Sequence, residues 1–287
     1  MSGAAAVFAP GSTALITGGA SGIGLAVAKL CHIKGMNILL VDRNAEALEH
    51  ARLEIAGEGV DASEPRVVTS VADVSLPEDW AALKDSALAK FGSIELLALN
   101  AGVGGKGAWG DTDYFRRILE TNLFGVINGV NTFLPVVQEA SKTKRTAIII
   151  TGSKQGITNP PGNAAYNASK SAVKTLTEHL SWDLRDTTTS VHLLVPGWTF
   201  TGMTGGGQTK EKPAGAWAPE QVADFLYKKM ENGEFYVICP DNDVSEDTDK
   251  KRMLWTVGDI VHGRPPLTRW RDEWKAEAEK TMSETKI

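Results

Sequence analysis

Short apolar runs alternate along this chain with longer stretches whose apolar positions recur at helical spacing. Residues 14–17 are followed by a helical pattern over 23–35, 37–41 by one over 46–58, and 66–71 by one starting near Pro77. Residues 94–99 lead into a glycine-rich loop and a long helical pattern over 113–140. Residues 146–151 lead into a pattern over 164–185, 190–195 follow, and a helix near 219–232 feeds 235–239. Runs rich in Val, Ile and Leu that lack polar alternation read as strands buried on both faces. Seven of them separated by helices predict a parallel sheet covered on both sides. Right-handed crossovers make the fold class α/β, a single Rossmann-type doubly wound domain with its crevice at the carboxyl ends of the strands.

Two regions leave this rhythm. Residues 203–219 contain Gly205, Gly206, Gly207 and Pro213 with little apolar periodicity, directly after a strand end, and are expected to form a lid over the crevice. The catalytic domain is expected to span 1–240 with this lid, leaving a C-terminal helical extension over 241–287. Its first part, 241–251, is polar and acidic. Residues 253–261 predict a short amphipathic helix, 263–266 a turn, and 270–282 a charged helix with Trp270 and Trp274 on one face. That face needs a partner: the domain's own core, a substrate pocket, or a second subunit.

The composition is that of an ordinary soluble globular protein: 287 residues, 42% hydrophobic and 23% charged. A net charge of −5 without Lys/Arg runs argues against a nucleic-acid surface. Cys31 and Cys239 sit in apolar segments and read as reduced core residues. No apolar stretch approaches a membrane span, the N-terminal residues lack a basic region, and the five histidines show no ligand spacing. These features predict a cytoplasmic protein without a metal.

The candidate chemistry lies on the 164–185 helix. Tyr166 and Lys170 are four residues apart and leave the same face one turn apart. A free phenol titrates near ~10. An ammonium about 4 Å away, at an effective dielectric of roughly 20, would favour the phenolate by ~4 kcal/mol, or roughly three pKa units. That shift would bring the tyrosine into the range of a general acid/base. At the other end of the chain, the first strand runs into Thr17-Gly18-Gly19-Ala20-Ser21-Gly22-Ile23-Gly24, directly before a helix. Glycines there allow a sharp turn and a close approach of backbone to a pyrophosphate at the helix N-terminus. Asp42 ends the second strand, 18 residues past Gly24, where a carboxylate can bond an adenosine ribose and repel a 2′-phosphate. This favours NAD over NADP, although Arg43 beside it could pair with that phosphate.

Further segments fall at strand ends in order: Asp73-Val74, Asn100-Ala101-Gly102, Asn122 within Thr121–Gly125, Ser153 placed 13 residues before Tyr166, and Pro196-Gly197 with Thr199 and Thr201 beyond. With these residues the chain resembles the short-chain dehydrogenase/reductase family along nearly its whole length. It departs from the family pattern at Leu99, where an asparagine usually precedes Asn-Ala-Gly. The resemblance implies a catalytic tetrad of Asn122, Ser153, Tyr166 and Lys170. Gly18, Ser21, Gly22, Ile23, Gly24, Asp42 and Arg43 would hold the cofactor. Asp73 and Val74 would hold the adenine ring, and Asn100, Ala101 and Gly102 would complete the loop. Pro196, Gly197, Thr199 and Thr201 would clasp the nicotinamide carboxamide. Asn122 would hold a water linking Lys170 to solvent.

The expected activity is hydride transfer between NAD and a secondary alcohol or ketone. A 3-oxoacyl thioester reductase or a sugar/polyol dehydrogenase is the alternative, and a non-catalytic NAD sensor a more distant one. Substrate-side residues are sought in 104–109, 154–162 and 198–203, together with Trp217. Trp109, Trp198 and Trp217 suggest a bulky or aromatic substrate, while Lys154 could favour a carboxylate or point to solvent. The resemblance further implies a homodimer or homotetramer built through the 113–140 and 164–185 helices. The extension would remodel a second contact near 235–239, which favours the dimer.

Overall fold

A computed structural model describes residues 6–57, 66–204 and 211–287. Seven strands form one sheet: β1 (Thr13–Thr17), β2 (Asn37–Asp42), β3 (Val67–Val71), β4 (Leu96–Leu99), β5 (Thr146–Thr151), β6 (Thr189–Val195) and β7 (Tyr236–Ile238). Their order is β3-β2-β1-β4-β5-β6-β7, and every pairing is parallel. The chain winds outward from β1 to β3, then returns to place β4 on the other side of β1. The crevice therefore opens between the ends of β1 and β4.

Helices cover both faces. On one lie α1 (Gly22–Ile33), α2 (Ala45–Ala56) and, late in the chain, α8 (Pro219–Glu231). Their buried residues join Ala14, Ile16, Ile38 and Leu40 in one core, where Cys31 and Cys239 are also fully buried. On the other face α3 (Pro77–Phe91), α5 (Gly125–Ser141) and α7 (Ala164–Asp183) join Leu15, Leu39, Leu97 and Ile148. Neighbouring residues of one strand thus feed opposite cores, which is why β1 shows no polar alternation. Trp80 of α3 and Phe133 of α5 meet edge to face at 6.0 Å, and each contributes on the order of 1.5–3 kcal/mol by burial. No helix among the described residues is long and apolar enough to cross a membrane.

The long 113–140 pattern is not one helix. α4 (Thr112–Leu119), capped by the Asp111 carboxylate accepting the Tyr114 amide, passes into a π-helical turn over Glu120–Phe124 before α5 begins. Asn122 lies inside that turn. A short helix α6 (Lys154–Thr158) stands between β5 and α7 with Ser153 as its cap. After β6 the chain leaves the sheet and returns. Thr199 bridges Trp217 in parallel, the Phe200 amide donates to the Trp217 carbonyl at 2.8 Å, and the Trp217 amide donates to the Trp198 carbonyl at 2.9 Å. Both ends of the expected 203–219 lid are therefore pinned side by side, while its residues 205–210 lie outside the described residues.

The extension differs from its expected outline. α9 (Glu246–Val261) starts in the acidic stretch, because the Ser245 hydroxyl caps it and Glu246, Asp247 and Asp249 suit the positive end of a helix. α10 covers Asp272–Glu284, leaving Trp270 in a preceding 3₁₀ turn, so Trp270 and Trp274 do not share a helix face. Trp255 of α9 is buried against Thr268, to which its ring N–H donates at 2.9 Å, with the Arg264 guanidinium 3.8 Å above the ring. α9 packs on α6, which brings the extension up to the crevice.

Candidate active site

The turn after β1 is shaped by what its glycines lack. Gly18 and Gly22 have φ of +63° and +54°, a region costly for any residue with a Cβ. A Cβ on Gly18 would lie 3.0 Å from the Ala101 Cα, so the β1 and β4 ends approach backbone to backbone. Gly24 would collide through a Cβ with the Gly18 carbonyl oxygen. It packs α1 under the turn and does not line the crevice, contrary to its expected place among the cofactor contacts. Thr17, noted from the sequence only as the start of the motif, joins the strand ends. Its hydroxyl accepts the amides of Asn100 at 2.9 Å and Ala101 at 3.1 Å. The Asn100 side chain donates to the Thr17 carbonyl and accepts from the Thr151 hydroxyl at 3.1 Å, which ties β5 in as well.

Along these ends runs a cleft of about 800 Å³. Gly18, Ser21, Gly22 and Ile23 line it beneath the α1 N-terminus, whose free amides and positive dipole suit a phosphate. Asp42 and Arg43 close one end, and a side pocket of about 80 Å³ continues past them to Asp73 and Val74. Burial raises the Asp73 carboxyl, but hydrogen bonds from the Ser75 hydroxyl and amide, with the charge of Arg43, hold it below its ordinary value. Asn100, Ala101 and Gly102 line the middle, and Pro196, Gly197, Thr199 and Thr201 the opposite wall. Thr201 reaches across to Gly22, where a Cβ would sit 3.0 Å from its methyl group. The cradle therefore fits a dinucleotide: glycines where backbone must be approached, a helix terminus for the pyrophosphate and a carboxylate at the ribose end.

Ser153, Tyr166 and Lys170 share the far end of this cleft. Ser153, extended at φ −169°, also accepts the Gln155 amide at 3.2 Å, so capping α6 fixes its hydroxyl. Tyr166 departs from expectation. Burial raises its phenol above the ordinary value, and a hydrogen bond with Ser153 is what draws it back. The Lys170 ammonium stands 5.9 Å from the centre of the Tyr166 ring and donates to the Thr151 carbonyl at 2.8 Å. Burial alone lowers it to about 8. A buried ammonium must find a hydrogen-bond partner, and the Thr151 carbonyl supplies it.

Asn122 does not line the cleft. It is fully buried, and its side chain accepts the Val103 amide at 2.7 Å and donates to the Val103 carbonyl at 3.0 Å. Its place near Lys170 is still close: a Cβ on Gly102 would fall 3.4 Å from the Asn122 Oδ1 and 3.7 Å from the Lys170 Nζ. The amide is largely spent on shaping the Gly102–Val103 loop. A water held there would have only the second Oδ1 lone pair or the main-chain carbonyl to use.

On the substrate side the cleft meets Gly104, Arg117, Asn163, Trp198 and Met203. Of the three tryptophans expected there, only Trp198 lines it. Trp109 is 83% exposed and stacks on Phe115, and Trp217 packs on Phe225. Lys154 neither points to solvent nor offers free charge, since Asp241 and Asp249 pair with it at 3.1 and 2.7 Å. Tyr114 carries no motif and so went unnoticed in the sequence. Its hydroxyl donates to Asn163 at 2.5 Å and accepts the Ala165 amide at 3.3 Å, fixing the first turn of α7.

A family model described as short chain dehydrogenase matches residues 12–212. The 1-deoxy-11-beta-hydroxypentalenate dehydrogenase of Streptomyces exfoliatus is 30% identical over 277 residues, 94% of this chain and 96% of that one. Dehydrogenase/reductase SDR family member 7B of Mus musculus is 32% identical over 193 residues, 66% of this chain, a match that spans 58% of that protein's length. A short chain dehydrogenase/reductase from Burkholderia phymatum, solved in complex with NAD, has a TM-score of 0.78 at 28% identity, with 90% of this chain and 97% of that one covered. The chain belongs to the short-chain dehydrogenase family of NAD(P)-binding oxidoreductases.

Proposed function

We propose that this protein interconverts a secondary alcohol and a ketone with NAD as cofactor. The observation that carries the reading is the convergence of Ser153, Tyr166 and Lys170 at one end of a cleft whose other end is Asp42. The nicotinamide, when bound, supplies or takes the hydride. Ser153 donates a hydrogen bond to the substrate oxygen and stabilises the negative charge that grows there. Tyr166 gives that oxygen a proton in reduction and takes it in oxidation. The Ser153 hydrogen bond favours the phenolate, so one hydroxyl serves both the substrate and the acid. Lys170 stands within the same cleft, and a cofactor ribose is the group it would meet.

Asp42 supports NAD, while Arg43 beside it lines the same cleft and is the group that a 2′-phosphate would meet. Asp42→Ala is expected to raise NADP use relative to NAD by about tenfold, the loss of roughly 1.4 kcal/mol of discrimination. Unchanged selectivity refutes the ribose contact. The relative from Streptomyces exfoliatus is named as a dehydrogenase of 1-deoxy-11-beta-hydroxypentalenate. Trp198 and Met203 give this cleft an apolar wall for a bulky ketone, with 3-oxoacyl thioesters and polyols as the competing classes. Steady-state rates over such a panel choose among them. Tyr166→Phe is the decisive variant: turnover on the best substrate should fall on the order of 10²- to 10⁴-fold while NAD binding, followed by fluorescence titration, persists. Wild-type turnover in that variant removes the reading.

A further inference from the structure

Lys154 directly follows Ser153 and lines the same cleft, and its ammonium is held in an ion network built with the C-terminal extension. Only 14% of that side chain is exposed, against 5% for Asp241 and none for Asp249. Arg252 pairs with the second oxygen of Asp249 at 3.2 Å, and Arg269 completes the charged groups around it. Burying such a network is costly, and apolar residues of similar volume would hold two elements together about as well. Charge placed there calls for a reason other than adhesion.

That reason lies in what the network touches. The Lys154 amide donates to the Pro196 carbonyl, and the Trp198 amide donates to the Asp241 Oδ2 at 3.1 Å. Gly197 lies directly over the pair: a Cβ there would sit 2.8 Å from both the Lys154 Nζ and the Asp241 Oδ2. The residue after Asp241, Asn242, donates from its side chain to the Ala214 carbonyl, and its amide donates to the Gly215 carbonyl. One stretch at the start of the extension thus grips the Ser153 turn, the Pro196–Trp198 wall and the returning end of the excursion.

We propose that Lys154, locked between Asp241 and Asp249, is a positioning residue through which the C-terminal extension sets the Ser153 hydroxyl against Tyr166 and the nicotinamide-side wall. The inference rests on the proposed roles of Ser153 and Tyr166. The extension is on this account part of the active-site scaffold, although it lies outside the region matched by the family model. If the lock is released, the turn after β5 keeps its cap and main-chain bonds but loses its ionic tie to the extension, the Ser153–Tyr166 hydrogen bond lengthens, and the phenol loses the one contact that draws it down.

The test uses the full chain and the best ketone from the substrate panel, with kcat, KM and the pH profile of kcat measured for Lys154→Met, Lys154→Met/Asp249→Asn, Asp241→Asn and Lys154→Arg. The neutral variants are expected to lose kcat on the order of 10- to 100-fold, as for a displaced catalytic group, and to shift the alkaline limb of the profile, where Tyr166 loses its proton, to higher pH. The dissociation constant of NAD(H) should stay within about threefold, and Lys154→Arg should recover most of the rate by restoring the pair. Any folded neutral variant with wild-type kcat and wild-type profile overturns the proposal. So does unfolding of all three neutral variants, which would make the network a stability element alone. Tyr166→Phe assayed alongside separates the two levels: turnover surviving there refutes the site itself, while wild-type behaviour in the Lys154 series with Tyr166→Phe inactive refutes only the positioning role.

Discussion

Lys170 is held where its charge is costly. Burial lowers its ammonium from 10.5 to about 8, and its recorded hydrogen bond goes to a backbone carbonyl. Between about 8 and 10.5 the unfolded chain therefore binds more protons than the folded one, so this group makes stability rise with pH across that window. Below about 8 it costs the fold on the order of 3 kcal/mol, partly offset by the bond to Thr151, worth about 1 kcal/mol. Lys170→Met should accordingly be inactive yet melt at or a few degrees above wild type at pH 7, with the difference shrinking towards pH 10. Calorimetry over that range checks it, and a clearly lower melting temperature at pH 7 would show that the ammonium stabilises the fold. The four-residue spacing of Tyr166 and Lys170 was legible in the chain, but the direction of their pKa shifts was not. Spacing shows that two groups share a face, whereas desolvation depends on what the rest of the fold packs over them, and here it outweighs the attraction between them.

At the scale of elements, the sheet was legible because parallel strands buried on both faces must be apolar throughout, and each of the seven runs is flanked by a turn or a helix. Helix 113–140 was misread for a definite reason. Thr121, Asn122, Leu123 and Phe124 fit a continuous helical period, and what breaks it is the distant Val103 backbone, which the Asn122 side chain binds at both ends. A π turn inserts one extra residue and turns a side chain aside from the ordinary helical ladder, as such turns do near functional sites. The start of α9 is readable in the sequence: Ser245 followed by Glu246, Asp247 and Asp249 is an N-terminal signal, whereas the amphipathic pattern that predicts the helix sets in only at 253. The tryptophans mark the limit of composition as a guide. Trp109, Trp198 and Trp217 are equally aromatic, and only tertiary packing decides which one faces the cleft.

On the whole-molecule scale, apolar surface remains that one subunit does not cover. α7 presents Leu176 and Trp182 at 40% and 66% exposure, and Phe124, at the head of α5, is 45% exposed. A separate stripe on α9, Leu254, Val257, Ile260 and Val261, is 57% to 86% exposed. Exposed apolar side chains grouped on one helix face are candidate contact surfaces. A face that pairs with itself through a two-fold axis closes a dimer, and two independent faces of this kind build a tetramer of two dimers. The α7 face, backed by rigid core helices, is expected to make the dimer. The α9 stripe is expected to add the second contact, since the extension carries it out on the surface away from the sheet. Sedimentation velocity at tens of micromolar should then find a dimer or larger species in the wild type. Leu176→Glu with Trp182→Lys should dissociate it to monomers, while Val257→Lys with Ile260→Lys should leave a dimer. A wild-type chain that sediments as a monomer would refute the assembly, and a dimer lost through the α9 changes but not the α7 changes would exchange the two interfaces. Because Asp249 of α9 pairs with Lys154 beside the cleft, a contact made on that stripe would load the same element that bears on Ser153, so assembly and turnover should be compared in the same variants.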